Sequence, residues 1–182
     1  MRLAAAALVL LLASTALARE VAGVNVPETA ALGERTLQLN GAGLRSKFFV
    51  KVYVGALYLG QKAASLDAIV AADAPWLVTM TFKRGVGKDK IMDAFKEGFE
   101  NNSRADLPAL LPGLARVGAG LKDFKEGDVF TIAYLPGTGA ILTPPGGAPI
   151  TVEGKAFGDA LLRNWLGPRP ADGDLKDGML GK

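Results

Sequence analysis

The chain has 182 residues, with 21 Lys and Arg against 18 Asp and Glu, which gives a formal net charge of +3. It contains no His and no Cys, which excludes disulfides, Ser–His or Cys–His nucleophile pairs, and zinc or haem sites built from the usual ligands. Its cations occur in short mixed runs such as Lys88-Asp89-Lys90, so we expect no nucleic-acid binding, and we expect no cofactor.

The N-terminal segment has the pattern of a secretory signal peptide. Arg2 gives a positive start, Leu3–Leu12 is an unbroken apolar run, and Ala16-Leu17-Ala18 is a small-residue cleavage site. We therefore expect a signal peptide over residues 1–18, export across an inner membrane to the periplasm, and one domain over residues 19–182. The apolar run is shorter than the ~20 residues of a membrane span, although an uncleaved anchor is the alternative. No other stretch approaches that length, so no transmembrane segment is expected in the mature protein.

The first half of the mature chain is rich in strand signals. Residues 19–32 form a lead-in that we interpret as a short strand or an irregular arm. Apolar alternation predicts a strand over residues 36–40, which Gly41-Ala42-Gly43 is expected to break. Residues 45–60, rich in Phe, Val and Tyr, predict one strand with a bend.

The second half alternates between the helical and the strand periods. Ser65 caps a predicted helix over residues 65–72, and a strand is predicted over Trp76–Phe82. Ile91, Met92, Phe95 and Phe99 predict one apolar helix face within residues 88–101. The later predicted elements, in chain order, are an interrupted helix over 107–123, strands over 128–134, 140–143 and 149–152, a helix over 155–166 and a short segment over 175–180. This order predicts an α+β fold, an antiparallel sheet with helices packed on one face.

Two motifs lie near the two ends of the mature chain. The first is Gly41-Ala42-Gly43-Leu44-Arg45, followed by Lys47–Tyr53 and Leu57-Tyr58-Leu59, and the second is Phe157–Gly167. Together they resemble the chalcone isomerase family, the second motif its exported bacterial branch, and the resemblance covers nearly all of the mature chain. It implies a chalcone-isomerase-like open-faced β-sandwich, with a ligand cleft between a large antiparallel sheet and its helices.

The resemblance also implies candidate site residues. The family includes plant isomerases that close a chalcone to a flavanone, plastid relatives that bind fatty acids, and non-catalytic members. Arg45 matches the isomerase Arg that polarises the substrate, and Tyr53 stands where the isomerase has a Thr. Lys90 falls near the isomerase Tyr and Glu97 near its Asn. Arg with Tyr at the first two positions is similar to the fatty-acid-binding branch, where that pair holds the carboxylate.

We therefore expect a cleft that binds a fatty acid or a similar small apolar carboxylate, anchored by Arg45 and Tyr53. Arg offers a planar fork of donors to a carboxylate, and a Tyr hydroxyl with a pKa near ~10 is a neutral donor at pH 7. Aromatic side chains are expected to supply the apolar walls, namely Phe48, Phe49, Trp76, Phe95 and Phe99.

Two other functions stay open. The first is an isomerase acting on a chalcone-like enone, with Arg45 as electrophile and Tyr53 or Lys90 assisting, although Glu97 in the same cleft would oppose the developing anion. The second is a non-catalytic structural or interaction module with a collapsed cleft. On one extended strand Arg45 and Tyr53 would lie ~26 Å apart. They can share a ligand only across a sharp bend, which we expect at Ser46-Lys47 or at a bulge.

Overall fold

The computed structural model describes residues 18–182, so all of the predicted signal peptide except Ala18 lies outside the described residues. The described chain contains nine strands and five helices. In chain order they are β1 (Ala18–Val21), β2 (Val24–Pro27), β3 (Thr29–Leu32), β4 (Arg35–Lys47), β5 (Val50–Leu59), α1 (Leu66–Ala72), β6 (Trp76–Phe82), α2 (Lys88–Asn102), α3 (Leu107–Gly120), β7 (Val129–Leu135), β8 (Gly139–Thr143), β9 (Ile150–Glu153), α4 (Lys155–Leu166) and α5 (Gly173–Met179).

Strands β3 to β9 form one sheet in which each strand pairs antiparallel with the next along the chain. The sheet is curled into a half-barrel, and β1 and β2 form a separate antiparallel hairpin. The predicted α+β class and antiparallel sheet are thus confirmed. The predicted strand β6 and helix α4 are confirmed with the same bounds. The interrupted helix predicted over 107–123 is instead one helix, α3, with Pro112 inside it.

The two faces of the sheet are buried by different elements. On one face, alternate residues of β6 (Trp76, Val78, Met80 and Phe82) are at most 2 % exposed and belong to one core with α2, α3 and α4. The other face carries a smaller apolar cluster that includes residues of the β1–β2 hairpin. Among residues 18–182, no helix is long and apolar enough to cross a membrane.

A one-residue bulge at Asn40 decides which face the end of β4 presents to the helices. Leu39 pairs with Tyr58 and Gly41 with Leu57, so Asn40 has no partner residue in the ladder. Because side chains alternate along a strand, one extra residue exchanges the two faces. From Gly41 onward the odd-numbered residues of β4 therefore share the helix-covered face.

The side chain of Asn40 holds this bulge in place. It is 7 % exposed. Its amide nitrogen donates to the carbonyls of Ala63 (3.0 Å) and Met179 (2.8 Å), and its oxygen accepts from the Ala63 N–H (2.8 Å). The bulge is thus tied both to the segment before α1 and to the end of α5, with the buried amide fully hydrogen-bonded.

The expectation that Gly41-Ala42-Gly43 breaks the strand is wrong, because β4 runs through it. Neither glycine has a positive φ. Instead, α5 packs directly on them: a Cβ at Gly41 would lie 2.9 Å from the Met179 oxygen, and one at Gly43 would lie 3.0 Å from the Leu175 Cα. The glycines therefore permit the close approach of a helix to the sheet.

The single bent strand predicted over residues 45–60 is also wrong. β4 ends at Lys47, β5 begins at Val50, and Phe48-Phe49 forms a two-residue turn between them. Both Phe residues have positive φ, 50° and 64°, as a type I′ hairpin turn requires. The chain therefore reverses completely, two residues beyond the bend expected at Ser46-Lys47.

Candidate functional site

The hairpin makes Arg45 and Tyr53 cross-strand partners in the β4–β5 ladder. A second bulge, at Val52, follows immediately, because Ser46 pairs with Lys51. The guanidinium carbon of Arg45 lies 5.6 Å from the centroid of the Tyr53 ring, within the range of a cation–π contact. The sharp reversal that the two residues need in order to share a ligand is therefore present, and they converge on the helix-covered face.

Tyr53 is buried between the hairpin and the helices. Its side chain is 2 % exposed, and its hydroxyl accepts a 2.8 Å hydrogen bond from the indole Nε1 of Trp165 in α4. Burial raises the pKa of Tyr53 above its usual value, and the positive charge of Arg45 and the Trp165 hydrogen bond oppose that shift only in part. The hydroxyl therefore stays protonated at neutral pH and is available as a donor.

Arg45 and Asn164 have buried polar atoms without partners. Among the described residues, nothing pairs with the Nε of Arg45 or with either amide atom of Asn164, and no carboxylate lies within salt-bridge distance of Arg45. Such groups are rare because an unmade buried hydrogen bond is costly. A ligand with oxygen atoms is one way to satisfy them.

Asn164 was not anticipated as a site residue. It lies in α4, where eight residues are buried, and it is 3 % exposed. Its amide fits because Gly98 of α2 lacks a side chain: a Cβ there would lie 3.0 Å from the Asn164 nitrogen. The available signal was a polar residue within the apolar run of the second motif. That its amide lacks partners depends on the tertiary structure.

Three cavities meet at Arg45. An outer cleft of about 600 Å³ lies between the β4–β5 hairpin and α2, and a side cavity of about 190 Å³ reaches Asn164 and Arg169. An inner cavity of about 20 Å³ has the following lining: Arg45, Tyr53, Met80, Ile91, Ala94, Phe95, Asn164, Trp165 and Ala171. The inner cavity has room for one or two polar atoms, and only the outer cleft has room for a larger apolar group.

Of the aromatic residues predicted to line the cleft, some line cavities at Arg45 and others pack in the core. Phe48 lines the outer cleft and Phe95 the inner cavity. Phe99 is fully buried and packs edge-on against Phe157 at 5.5 Å, and Trp76 stacks on Tyr134 at 5.9 Å, so both belong to the core.

The expectation that Phe49 forms a wall is wrong. Its side chain is fully exposed at the hairpin turn and is not among the lining residues of the cavities at Arg45. The turn itself is the cause, because it directs Phe49 away from the cleft.

Lys90 and Glu97 both line the outer cleft. Lys90 is exposed and lies 3.8 Å from Asp93 in the same helix, and Glu97 is also exposed. In all, the cleft lining contains four cations and two carboxylates, namely Arg45, Lys47, Arg84, Lys90, Asp93 and Glu97. The excess of cations favours an anionic ligand over a neutral or cationic one.

Known proteins share this architecture. The structure is similar to the crystal structure of a fatty-acid binding protein from Arabidopsis thaliana, with a TM-score of 0.66 and 16 % identity over 87 % of this chain and 92 % of that one. At this identity the likeness shows the fold. A comparison with curated proteins gave no significant match. The model of the family described as chalcone isomerase-like matches residues 18–181, and the chain therefore belongs to the chalcone isomerase-like family.

Proposed function

We propose that this protein binds a fatty acid or a similar small apolar carboxylate, with its head group on Arg45. The observation that carries the proposal is the buried Nε of Arg45, which has no partner within residues 18–182 and lies on the strand pair with the buried Tyr53 where three cavities meet. The fatty-acid binding protein that shares this fold supports it.

The polar end of the ligand is matched by donors of different kinds. Arg45 supplies a charged fork that pairs with both carboxylate oxygens. Because Trp165 donates to the Tyr53 hydroxyl, the hydroxyl proton is left for the ligand. The Asn164 amide, whose atoms have no partner among the described residues, supplies a further donor at the same cavity.

In this proposal the apolar chain of the ligand lies in the outer cleft. Val50, Val52, Val86 and Ile91 line this cleft, and its volume of about 600 Å³ lies within the usual ~300–1,000 Å³ of ligand sites. Each methylene removed from water there contributes about 0.8 kcal/mol. The lining has more cations than carboxylates, so an anionic ligand is attracted as it enters the cleft.

Binding is favoured over ring closure by the state of Tyr53. Closing a chalcone requires a group that accepts the proton of the substrate phenol. Burial raises the pKa of Tyr53, so at neutral pH the hydroxyl stays protonated, can donate a hydrogen bond and is not available to take the proton of a phenol.

The test is isothermal titration of a long-chain fatty acid into protein freed of bound lipid. Arg45→Ala should weaken binding about 10- to 100-fold, the value of a charged hydrogen-bonded contact of ~1.5–3 kcal/mol, and Arg45→Lys should be intermediate. Arg84→Ala is the matched control, because it removes another cation from the same cleft. Equal affinity of wild type and Arg45→Ala, or equal affinity for the fatty acid and the fatty alcohol of the same length, would contradict the proposal.

We also propose that the chain is exported and cleaved after Ala18, because of its N-terminal sequence pattern. Expression of the whole chain in a bacterium, followed by intact-mass analysis of the periplasmic fraction, should give a product beginning at Arg19. A cytoplasmic product that retains residues 1–18 would contradict this.

A further inference from the structure

The tip of the β4–β5 hairpin, residues 47–51, exposes a cluster of apolar side chains. Phe48 is 86 % exposed, Phe49 is fully exposed and Val50 is 40 % exposed. These three residues are consecutive, whereas the other large exposed apolar residues among residues 18–182, Leu111 and Val129, stand singly. Contiguous exposed apolar groups at a protruding turn are typical of a contact surface.

The backbone of the tip is unfavourable for the residues it carries. Phe48 and Phe49 have φ values of 50° and 64°, in the left-handed region where Asn and Gly are usual and bulky side chains are rare. Two Phe residues at these positions make the turn less favourable than Asn-Gly would, and their exposure lowers the solubility of the protein. Strain of this kind is characteristic of functional sites.

The charge around the tip is of one sign. Lys47 and Lys51 flank the turn, and no acidic residue occurs between Arg45 and Tyr53. Lys47 also lies 6.0 Å from the Phe48 ring. Exposed aromatic rings with lysines beside them are suited to an interface between acyl chains and anionic phosphates, where the rings enter the bilayer and the lysines reach the head groups.

We propose that residues 47–51 dock this protein on the surface of an anionic lipid bilayer, with Phe48 and Phe49 inserted. Phe48 and Val50 also line the outer cleft, and Arg45 lies three residues, ~10 Å, from the turn. Docking therefore turns the cleft mouth toward the bilayer, so that a fatty acid enters the cleft directly from the membrane. This last step rests on the proposed function, whereas docking itself does not.

The first test is flotation with vesicles of phosphatidylcholine alone and of phosphatidylcholine with phosphatidylglycerol. The wild type should float with the anionic vesicles, and less so at high salt. Phe48→Asn with Phe49→Gly supplies the residues that the turn prefers, so the fold should be kept or stabilised while vesicle affinity falls about tenfold or more. Lys47→Gln and Lys51→Gln should each lower the affinity about fivefold.

Controls separate this inference from its competitors. Leu111→Ser removes an exposed apolar side chain elsewhere and should leave vesicle binding unchanged, and Arg45→Ala should bind vesicles like the wild type. Unchanged vesicle binding by the double variant Phe48→Asn/Phe49→Gly, or no vesicle binding by the wild type, would overturn the inference. The inference would also be overturned if the double variant lost a self-association that the wild type shows in sedimentation but still bound vesicles, because the tip would then contact a second copy of the protein.

The second test measures transfer of a fluorescent fatty acid from vesicles to the protein. Phe49→Gly should accept the ligand about tenfold more slowly, with unchanged affinity in vesicle-free solution, because Phe49 lines none of the cavities at Arg45. Equal transfer rates would overturn direct entry from the membrane. If Arg45→Ala abolishes fatty-acid binding but not flotation, docking and ligand binding are separate properties. If no fatty acid binds the wild type while flotation persists, the proposed function fails and docking stands.

Discussion

The indole Nε1 of Trp165 and the hydroxyl of Tyr53 are joined by a hydrogen bond of 2.8 Å. It connects α4 to β5 between two side chains that are each 2 % exposed. The guanidinium carbon of Arg45 lies 5.6 Å from the centroid of the same Tyr53 ring, so this bond links the packing of the closing helix to the geometry of the proposed head-group site.

Tyr53→Phe should lower both stability and ligand affinity. It leaves the Trp165 N–H buried without an acceptor, which costs about 1–3 kcal/mol in the free energy of unfolding, and it removes a donor from the site. Urea unfolding and fatty-acid titration measure the two effects. In a double-mutant cycle with Trp165→Phe, the two changes should be less costly together than the sum of the single variants. Strict additivity would show that the bond contributes nothing.

Gly41→Ala should destabilise the protein by about 1–3 kcal/mol, because a Cβ there meets backbone atoms that cannot move aside. It would lie 2.8 Å from the Gly181 nitrogen and 2.9 Å from the Met179 oxygen. Hydrogen exchange should become faster in α5. The matched control is Gly60→Ala, where nothing lies within 4 Å of the added Cβ, and its unfolding free energy should be unchanged or slightly higher. Equal effects of the two substitutions would count against this packing role.

Asn164→Ala should separate stability from ligand binding. The substitution removes two buried polar atoms that have no partner among the described residues, which offsets the small cavity it leaves. The unfolding free energy should therefore change by less than about 1 kcal/mol, while fatty-acid affinity falls. A large loss of stability would mean that the amide is hydrogen-bonded through water in the ligand-free protein.

Stability should fall at alkaline pH because of the tyrosines. Burial raises the pKa of Tyr53 and of Tyr58, and burial together with the 2.6 Å hydrogen bond donated to Asp73 raises the pKa of Tyr134 to about 12. Each folded-state pKa is above the unfolded value of ~10. The stabilising contribution is thus complete below pH ~10 and is lost as pH rises through the folded-state values.

Urea unfolding between pH 8 and pH 12, values chosen to bracket the unfolded pKa of ~10, measures this loss. Tyr134→Phe removes one contribution and should flatten the decline. Ultraviolet titration should show less tyrosinate at pH ~10 in the folded protein than in the unfolded chain, because all three tyrosines of the chain carry raised pKa values. A normal tyrosine titration at that pH would contradict the prediction.

The sequence predicted elements best where one face is buried along the whole segment. Strand β6 alternates except at Leu77, which is buried on the opposite face, and α4 keeps one apolar face over three turns, so their bounds were predicted correctly. The β4–β5 hairpin was not predicted because its turn consists of Phe48-Phe49, whereas the sequence signal for such a turn is Asn or Gly. Because this turn was not predicted, residues 45–60 were expected to form one strand, on which Arg45 and Tyr53 would lie far apart.

The candidate site was predictable only as far as residue types allow. Arg45 and Tyr53 were identified by resemblance, and their pairing became visible with the ladder. Asn164 was visible in the sequence only as a polar residue within an apolar run, because the absence of partners for its buried amide depends on residues far away in the chain. The role of Gly98 in admitting that amide is equally non-local.

The bulge at Asn40 has a consequence for how this protein can vary. One residue sets whether the odd-numbered or the even-numbered residues from Gly41 to Arg45 face the helices, so a deletion there would turn Arg45 to the opposite face and bring Ala42 and Leu44 against α5. Length changes at this point are therefore expected to be eliminated by selection, while the loops at the sheet edges remain free to accept them. The number of residues at the bulge therefore determines which side chains of β4 face the helices, in addition to the polarity of those side chains.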